Sequence, residues 1–150
     1  MKPVILIPTY NESTSIVELL RSLEELHQKR DFDVVILDDN SPDKTADIVQ
    51  SLKLPWIEIL HRPGKAGLGA AYRAGFAHVL PLGKYSKIVT MDADGSHRVA
   101  DLPAMLDATD DRLSITLGTR WMPGGSVVNW PKSRQLLSKS GTKYARMALG

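Results

Sequence analysis

Residues 87–97 read KIVTMDADGSH, an apolar β-branched run that ends on two acids, Asp92 and Asp94, with only Ala93 between them. In an extended segment residues i and i+2 point the same way, so both carboxylates take one side and Ala93 takes the other. Like charges at that spacing repel. A chain keeps them together most cheaply where a cation, or the donors of a ligand, sits between them. Hard divalent cations such as Mg²⁺ take this kind of donor, one or two carboxylates from protein and the rest from substrate phosphates. The stretch therefore reads as a buried strand whose exit holds a metal and a phosphorylated substrate. His97, a lone His near a helix start, reads as a surface or capping residue rather than a ligand, because hard cations prefer oxygen.

Four further runs share the strand pattern: 3–8 (PVILIP), 33–37 (DVVIL), 56–60 (WIEIL) and 113–117 (LSITL). Most are continuously apolar, as strands buried on both faces should be. Helical periods lie between them. Ile16, Leu19, Leu20, Leu23 and Leu26 fall on one face, with Asn11 or Ser13 as the cap. Ser41-Pro42 reads as the opening of a second helix, a third runs from near Gly69 to about Leu80, and a fourth occupies 99–108 with Pro103 near its first turn. Strand and helix in alternation predict an α/β fold: a mostly parallel, Rossmann-like sheet with helices on both faces. In such sheets ligands bind outside the carboxyl ends of the strands. The polar clusters lie at those ends: Thr9 to Glu12, Asp38 to Ser41, His61-Arg62, Asp92 to Asp94, and Gly118 to Arg120. One cluster alone would be turn and cap residues; five on one edge describe a site.

Composition bounds the possibilities. A chain of 150 residues with 43% hydrophobic content buries one core, which predicts a single domain over 1–150. A net charge of +2 with dispersed Lys and Arg predicts no nucleic-acid partner. The absence of cysteine excludes disulfides and cysteine zinc sites and fits a reducing compartment. No run reaches a membrane span, so the expected location is cytoplasmic.

The segment 64–72 (GKAGLGAAY) fails both nucleotide-loop patterns. Counting from Gly67, the sixth position of a dinucleotide fingerprint is Tyr72; for a P-loop, Ala66 and Ile59 stand where Ser or Thr and Gly are needed. What remains is a glycine turn into a helix, in which Lys65 either faces an anion or simply belongs to the turn.

Taken together, IPTYNE (7–12), LDDNSPDKT (37–45), GKAGLGAAY (64–72), DADGSH (92–97) and GTRWMPGG (118–125) resemble, in that order, the inverting family 2 glycosyltransferases of the GT-A fold. GLGAAY, and Asn129-Trp130-Pro131 followed by Arg134 and Ser138, are most similar to the dolichol-phosphate or polyprenol-phosphate mannosyltransferases of actinobacterial type. The resemblance implies a GT-A catalytic domain over 1–150, short of further acceptor-side structure, that moves mannose from GDP-mannose to a polyprenyl (dolichyl) phosphate. Pro8, Tyr10 and Glu12, with Asp38 and Asp39, would line the guanine and ribose pocket. Asp92 and Asp94, with Ala93 between them, would hold Mg²⁺ or Mn²⁺ against the diphosphate. Ser96 stands where many relatives carry a Gln that joins the metal shell. Arg120 and Arg134, with Ser138 nearby, would receive the acceptor phosphate, which makes Asp94, Arg120 and Arg134 the implied catalytic residues.

The chemistry is compatible with these residues. A phosphate monoester is already anionic near pH 7 and attacks without a general base. From 118 to 150 there is no Asp or Glu to serve a hydroxyl acceptor. Residues 131–150 read as a basic amphipathic helix, with Lys139, Lys143 and Arg146 on one face and Leu137, Tyr144 and Ala148 on another. Such a helix suits either a membrane surface or an ordinary solvated face. The expected enzyme is therefore peripheral at the cytosolic face of a membrane, with an anchoring subunit or fused domain as a further expected partner. Two other readings compete: a family 2 transferase using UDP-glucose or another acceptor, and a Mg²⁺-dependent phospho-acceptor receiver module. The receiver reading wants an acid pair after the first strand and a lysine after the fifth, where this chain has Tyr-Asn-Glu and Arg120.

Overall fold

The computed structural model describes residues 1–108, 115–118 and 131–149. The chain divides into two compact units, Met1–Leu106 and Asp107–Gly150. The first carries strands β1 (Lys2–Thr9), β2 (Asp33–Asp38), β3 (Ile57–His61) and β4 (Tyr85–Thr90), and helices α1 (Ile16–His27), α2 (Thr45–Ser51) and α3 (Leu68–Val79). α4 (Leu102–Ala108) follows a 3-10 turn at Val99–Asp101, and its last two residues fall in the second unit. The strands lie in the order β3-β2-β1-β4, all pairings parallel.

The central strands are apolar on both faces because helices cover both. Ile5, Ile7, Val34 and Ile36 pack with Ile16, Leu20 and Leu23 of α1, Val49 of α2, and Leu102 and Leu106 of α4. On the other side Val4, Leu6, Val35 and Leu37 meet Ala71 and Val79 of α3. α3 sits close: a Cβ on Gly75 would fall 2.9 Å from Leu37 Cδ1 and 3.0 Å from Leu6 Cδ1. Fully burying each Ile, Leu or Val contributes about 1.5–3 kcal/mol. Because β1 is apolar on both faces, a one-residue slip changes little of that sum, and the polar strand ends must set the register instead. Thr9 lies opposite Asp38, and its hydroxyl donates to that carboxylate at 3.0 Å.

Two helix starts differ from expectation. α1 begins at Ile16 with Ser15 at the cap position and no side-chain cap bond. Asn11 instead turns the chain at φ +62°, and the N–H groups of Ser15 and Ile16 donate to the Glu12 carbonyl at 3.1 and 2.9 Å. α2 begins at Thr45 rather than at Ser41-Pro42, preceded by Lys44 at φ +63°. The Ser41 hydroxyl is committed to Asp38 at 2.6 Å, and the acceptor for the Thr45 N–H is Asp43, at 3.1 Å. Of the fifth expected strand, residues 113 and 114 lie outside the described residues, and 115–118 are irregular.

In the second unit α5 (Lys132–Leu149) forms where a helix was expected. Leu137, Tyr144, Lys139 and Lys143 are exposed, as are Leu136 and Met147; the Arg146 side chain lies outside the described residues. No helix among the described residues is long and apolar enough to cross a membrane.

Candidate active site at the strand exits

The order β3-β2-β1-β4 reverses direction at β1, which makes the exits of β1 and β4 the switch point where open α/β sheets place their ligands. Pro8, Tyr10 and Glu12 stand at the first exit, and Asp92, Ala93, Asp94, Ser96 and His97 at the second.

At the β4 exit the strand ends at Thr90, and one further pairing, Met91 N–H to the Leu6 carbonyl at 3.1 Å, carries the chain outward. Asp94 is not in an extended segment, as the sequence reading expected. Ala93 and Asp94 form a turn, and Gly95 takes φ +77°. Alternation nevertheless persists in burial: Met91 and Ala93 are buried, Asp92 is half-buried and Asp94 exposed. Asp94 Oδ1 accepts the Ser96 N–H at 2.8 Å. That bond is the main reason its carboxyl lies below the usual range, against some opposing burial and with help from the Ser96 hydroxyl and His97. Asp92 Oδ1 accepts the Tyr72 hydroxyl at 3.1 Å. Burial first, then the Asp92 charge, pushes the Tyr72 phenol well above its ordinary value, so it stays a donor. His97 folds back, its Nδ1 accepting the Asp92 N–H at 2.9 Å and its Nε2 lying 3.9 Å from Asp92 Oδ2. Ser96 is exposed.

Asp92 and Asp94 fit a hard divalent cation. Both offer oxygen, each has one oxygen engaged locally, and among the described residues no third His, Cys, Asp or Glu completes a cluster with them. Two protein carboxylates leave the remaining positions to phosphate and water, the pattern typical of Mg²⁺.

The β1 and β2 exits are built differently. Asp38, expected to line the pocket, is 2% exposed and accepts three donors: the Thr9 hydroxyl at 3.0 Å, the Ser41 hydroxyl at 2.6 Å and the Ser41 N–H at 3.0 Å. It holds the loops rather than facing outward. Asp39 is also buried and pairs with the Arg62 guanidinium. Arg62 was not recognised as its partner from sequence, although the signal was there: Asp38 lies opposite His61, so the next residues along face one another. Asp43, also unassigned from sequence, accepts the Ser13 N–H at 2.9 Å and both the N–H and the hydroxyl of Thr45, at 3.1 and 2.6 Å. Burial pushes its carboxyl up, but these donors outweigh it and hold the pKa at about 2. The Lys65 ammonium sits 4.4 Å over the Tyr10 ring, and Glu12 Oε2 accepts the Ser15 hydroxyl at 2.7 Å. Arg134 and Ser138 lie on α5 in the second unit, and Arg120 lies outside the described residues.

A cleft of about 590 Å³, unforeseen from sequence, borders Asp94 on its other side, between α1 (Glu18, Ser22, Glu25) and the segment bearing His97 and Arg98.

Glycosyl transferase family 2 matches residues 4–149 of this chain. The chain is 41% identical over 152 aligned residues to the polyprenol monophosphomannose synthase of Mycolicibacterium smegmatis, covering 99% of this chain and 56% of that protein. It is 42% identical over 152 to the undecaprenyl-phosphate mannosyltransferase of Micrococcus luteus, covering 100% of this chain and 61% of that one. The chain thus spans a little over half the length of these relatives. Among solved structures, a mannosyltransferase from Pyrobaculum calidifontis in complex with GDP-Man and Mn²⁺ superposes with a TM-score of 0.57 at 24% identity, over 69% of this chain and 30% of that one. That likeness establishes the fold.

Proposed function

The chain belongs to glycosyl transferase family 2, and from that membership we propose that residues 1–150 form the donor-binding side of an inverting mannosyltransferase that moves mannose from GDP-mannose to a polyprenyl phosphate. The observation that carries this reading is the pair Asp92 and Asp94 at the β4 exit, beside Tyr10 and Glu12, where the strand order reverses. The names of the two actinobacterial relatives support the sugar and the lipid acceptor.

In this reading Tyr10, Glu12 and Pro8 face the nucleoside, with Asp39 held behind them by Arg62. Asp92 and Asp94 hold Mg²⁺ or Mn²⁺, which when bound neutralises the departing diphosphate. Tyr72 keeps the Asp92 carboxylate oriented through its hydroxyl. Arg120 and Arg134, with Ser138, receive the acceptor phosphate. That phosphate is already an anion, so the chain must supply positioning and charge rather than a base. A lipid acceptor places the enzyme at the cytosolic face of a membrane, with Lys139 and Lys143 of α5 as surface contacts or with an anchoring subunit or fused domain.

Calorimetry tests the donor half. GDP-mannose binds with Mn²⁺ and loses that binding without metal, UDP-glucose does not bind, and Asp94→Ala abolishes the metal-dependent part. Equal binding with and without metal, or an unaffected variant, overturns the assignment.

A further inference from the structure

We infer that Asp43 and Thr45 are positioning residues for the donor pocket, acting through the backbone of residues 11–13 to fix Tyr10 and Glu12. The inference rests on the donor reading above. Three consecutive amides between β1 and α1 donate to side chains of the loop after β2 and of the first residue of α2: Asn11 N–H to Ser41 Oγ at 3.3 Å, Glu12 N–H to Thr45 Oγ1 at 3.0 Å, and Ser13 N–H to Asp43 Oδ2 at 2.9 Å. None of these is a helix or strand bond, so the loop that presents Tyr10 and Glu12 is shaped by side chains about 30 residues away in sequence.

The direction of the relay follows from its ends. A backbone N–H can only donate, so Thr45 Oγ1 accepts from Glu12 and its hydroxyl proton goes to Asp43 Oδ1, 2.6 Å away. Thr45 is fully buried, which keeps water from substituting at that oxygen. Asp43 therefore faces three donors and must offer only acceptors. A carboxylate does so; an amide would turn an NH₂ toward one of them. Glu12 is then held at both ends, by Thr45 at its amide and by Ser15 at its carboxylate. Fixing a binding group in advance removes the ordering cost from the binding step.

The test pairs amide hydrogen exchange at Glu12 and Ser13 with calorimetry of GDP plus Mn²⁺, in the unaltered chain, Thr45→Val, Thr45→Ser and Asp43→Asn. Valine matches the volume of threonine without its hydroxyl, and serine keeps the hydroxyl. Thr45→Val and Asp43→Asn should accelerate exchange at residues 12 and 13, leave Leu6 and Ile36 protected, and weaken GDP binding about tenfold. Thr45→Ser should restore both readouts. Faster exchange with GDP affinity within about twofold of the unaltered chain would show a lock that does not position the site, and overturns the inference. Unchanged exchange denies the lock itself. Absence of GDP binding in the unaltered chain is a different result: it removes the donor reading, and this inference with it, before any variant is compared.

Discussion

Asp38 and Asp39 leave β2 almost wholly buried, their oxygens taken by Thr9, Ser41 and Arg62, whereas Asp92 and Asp94 leave β4 within reach of solvent, each with one oxygen in a local bond. Both exits carry a pair of acids after an apolar strand. The difference is in donors. At β2 the neighbouring strands on both sides, β1 and β3, bring donors into register with the acids. At β4 the engaged oxygens have a phenol and a turn amide as donors. Carboxylates surrounded by donors build the protein; carboxylates with capacity to spare are available for a cation.

Substitutions at the two exits should therefore fail in different ways. The largest effect is expected for Asp39→Ala, which leaves the Arg62 charge, only 11% exposed, without its partner and should cost about 3 kcal/mol in urea unfolding. A loss below about 1 kcal/mol would mean that water reaches Arg62 and that the two exits are more alike than their burial indicates. Asp94→Ala should do the reverse. Mn²⁺-dependent donor affinity falls by at least about 100-fold, since even partners of a ligand are worth 10–100-fold, while stability stays within about 0.5 kcal/mol as at an ordinary surface position. Tyr72→Phe sharpens the contrast, because it removes only the donor that orients Asp92; Mn²⁺ affinity measured by titration should drop about tenfold.

The smallest effect is in acid. The donors around Asp43 hold its carboxyl at about 2 in the folded chain, below the ordinary aspartate value of 3.8. A carboxyl depressed by folding adds stability that is complete above its unfolded value and lost as pH falls through the folded one. The contribution should therefore be flat above about pH 4 and decline toward pH 2, and Asp43→Asn should remove that limb from a plot of unfolding free energy against pH. An unchanged limb would assign it to other acids.

Much of this was readable from the chain. The runs at 3–8, 33–37, 56–60 and 87–91 became β1 to β4 with no boundary shifted by more than two residues, because continuous β-branched apolar stretches are stable only as strands covered on both faces. The leucine spacing from Ile16 placed α1 on the sheet for the same reason. The start of α2 was misjudged because Ser41-Pro42 is a good local opening; no local pattern reveals that the Ser41 hydroxyl is needed by Asp38. Asp43 drew no assignment from sequence, since its partner Ser13 lies 30 positions earlier. His97, read as a surface or capping residue, is exposed, but its seat on the Asp92 amide required the Gly95 turn.

Sequence alone determined that parallel strands alternate with helices and that two acids flanking Ala93 leave the fourth strand on the side away from the core, because both follow from short-range periodicity. Only the tertiary structure decided which acids remain open to a ligand. A carboxylate's freedom depends on the donors around it, and here the decisive ones, Thr9, Ser13 and Arg62, stand 23 to 30 residues away until strand pairing brings them alongside.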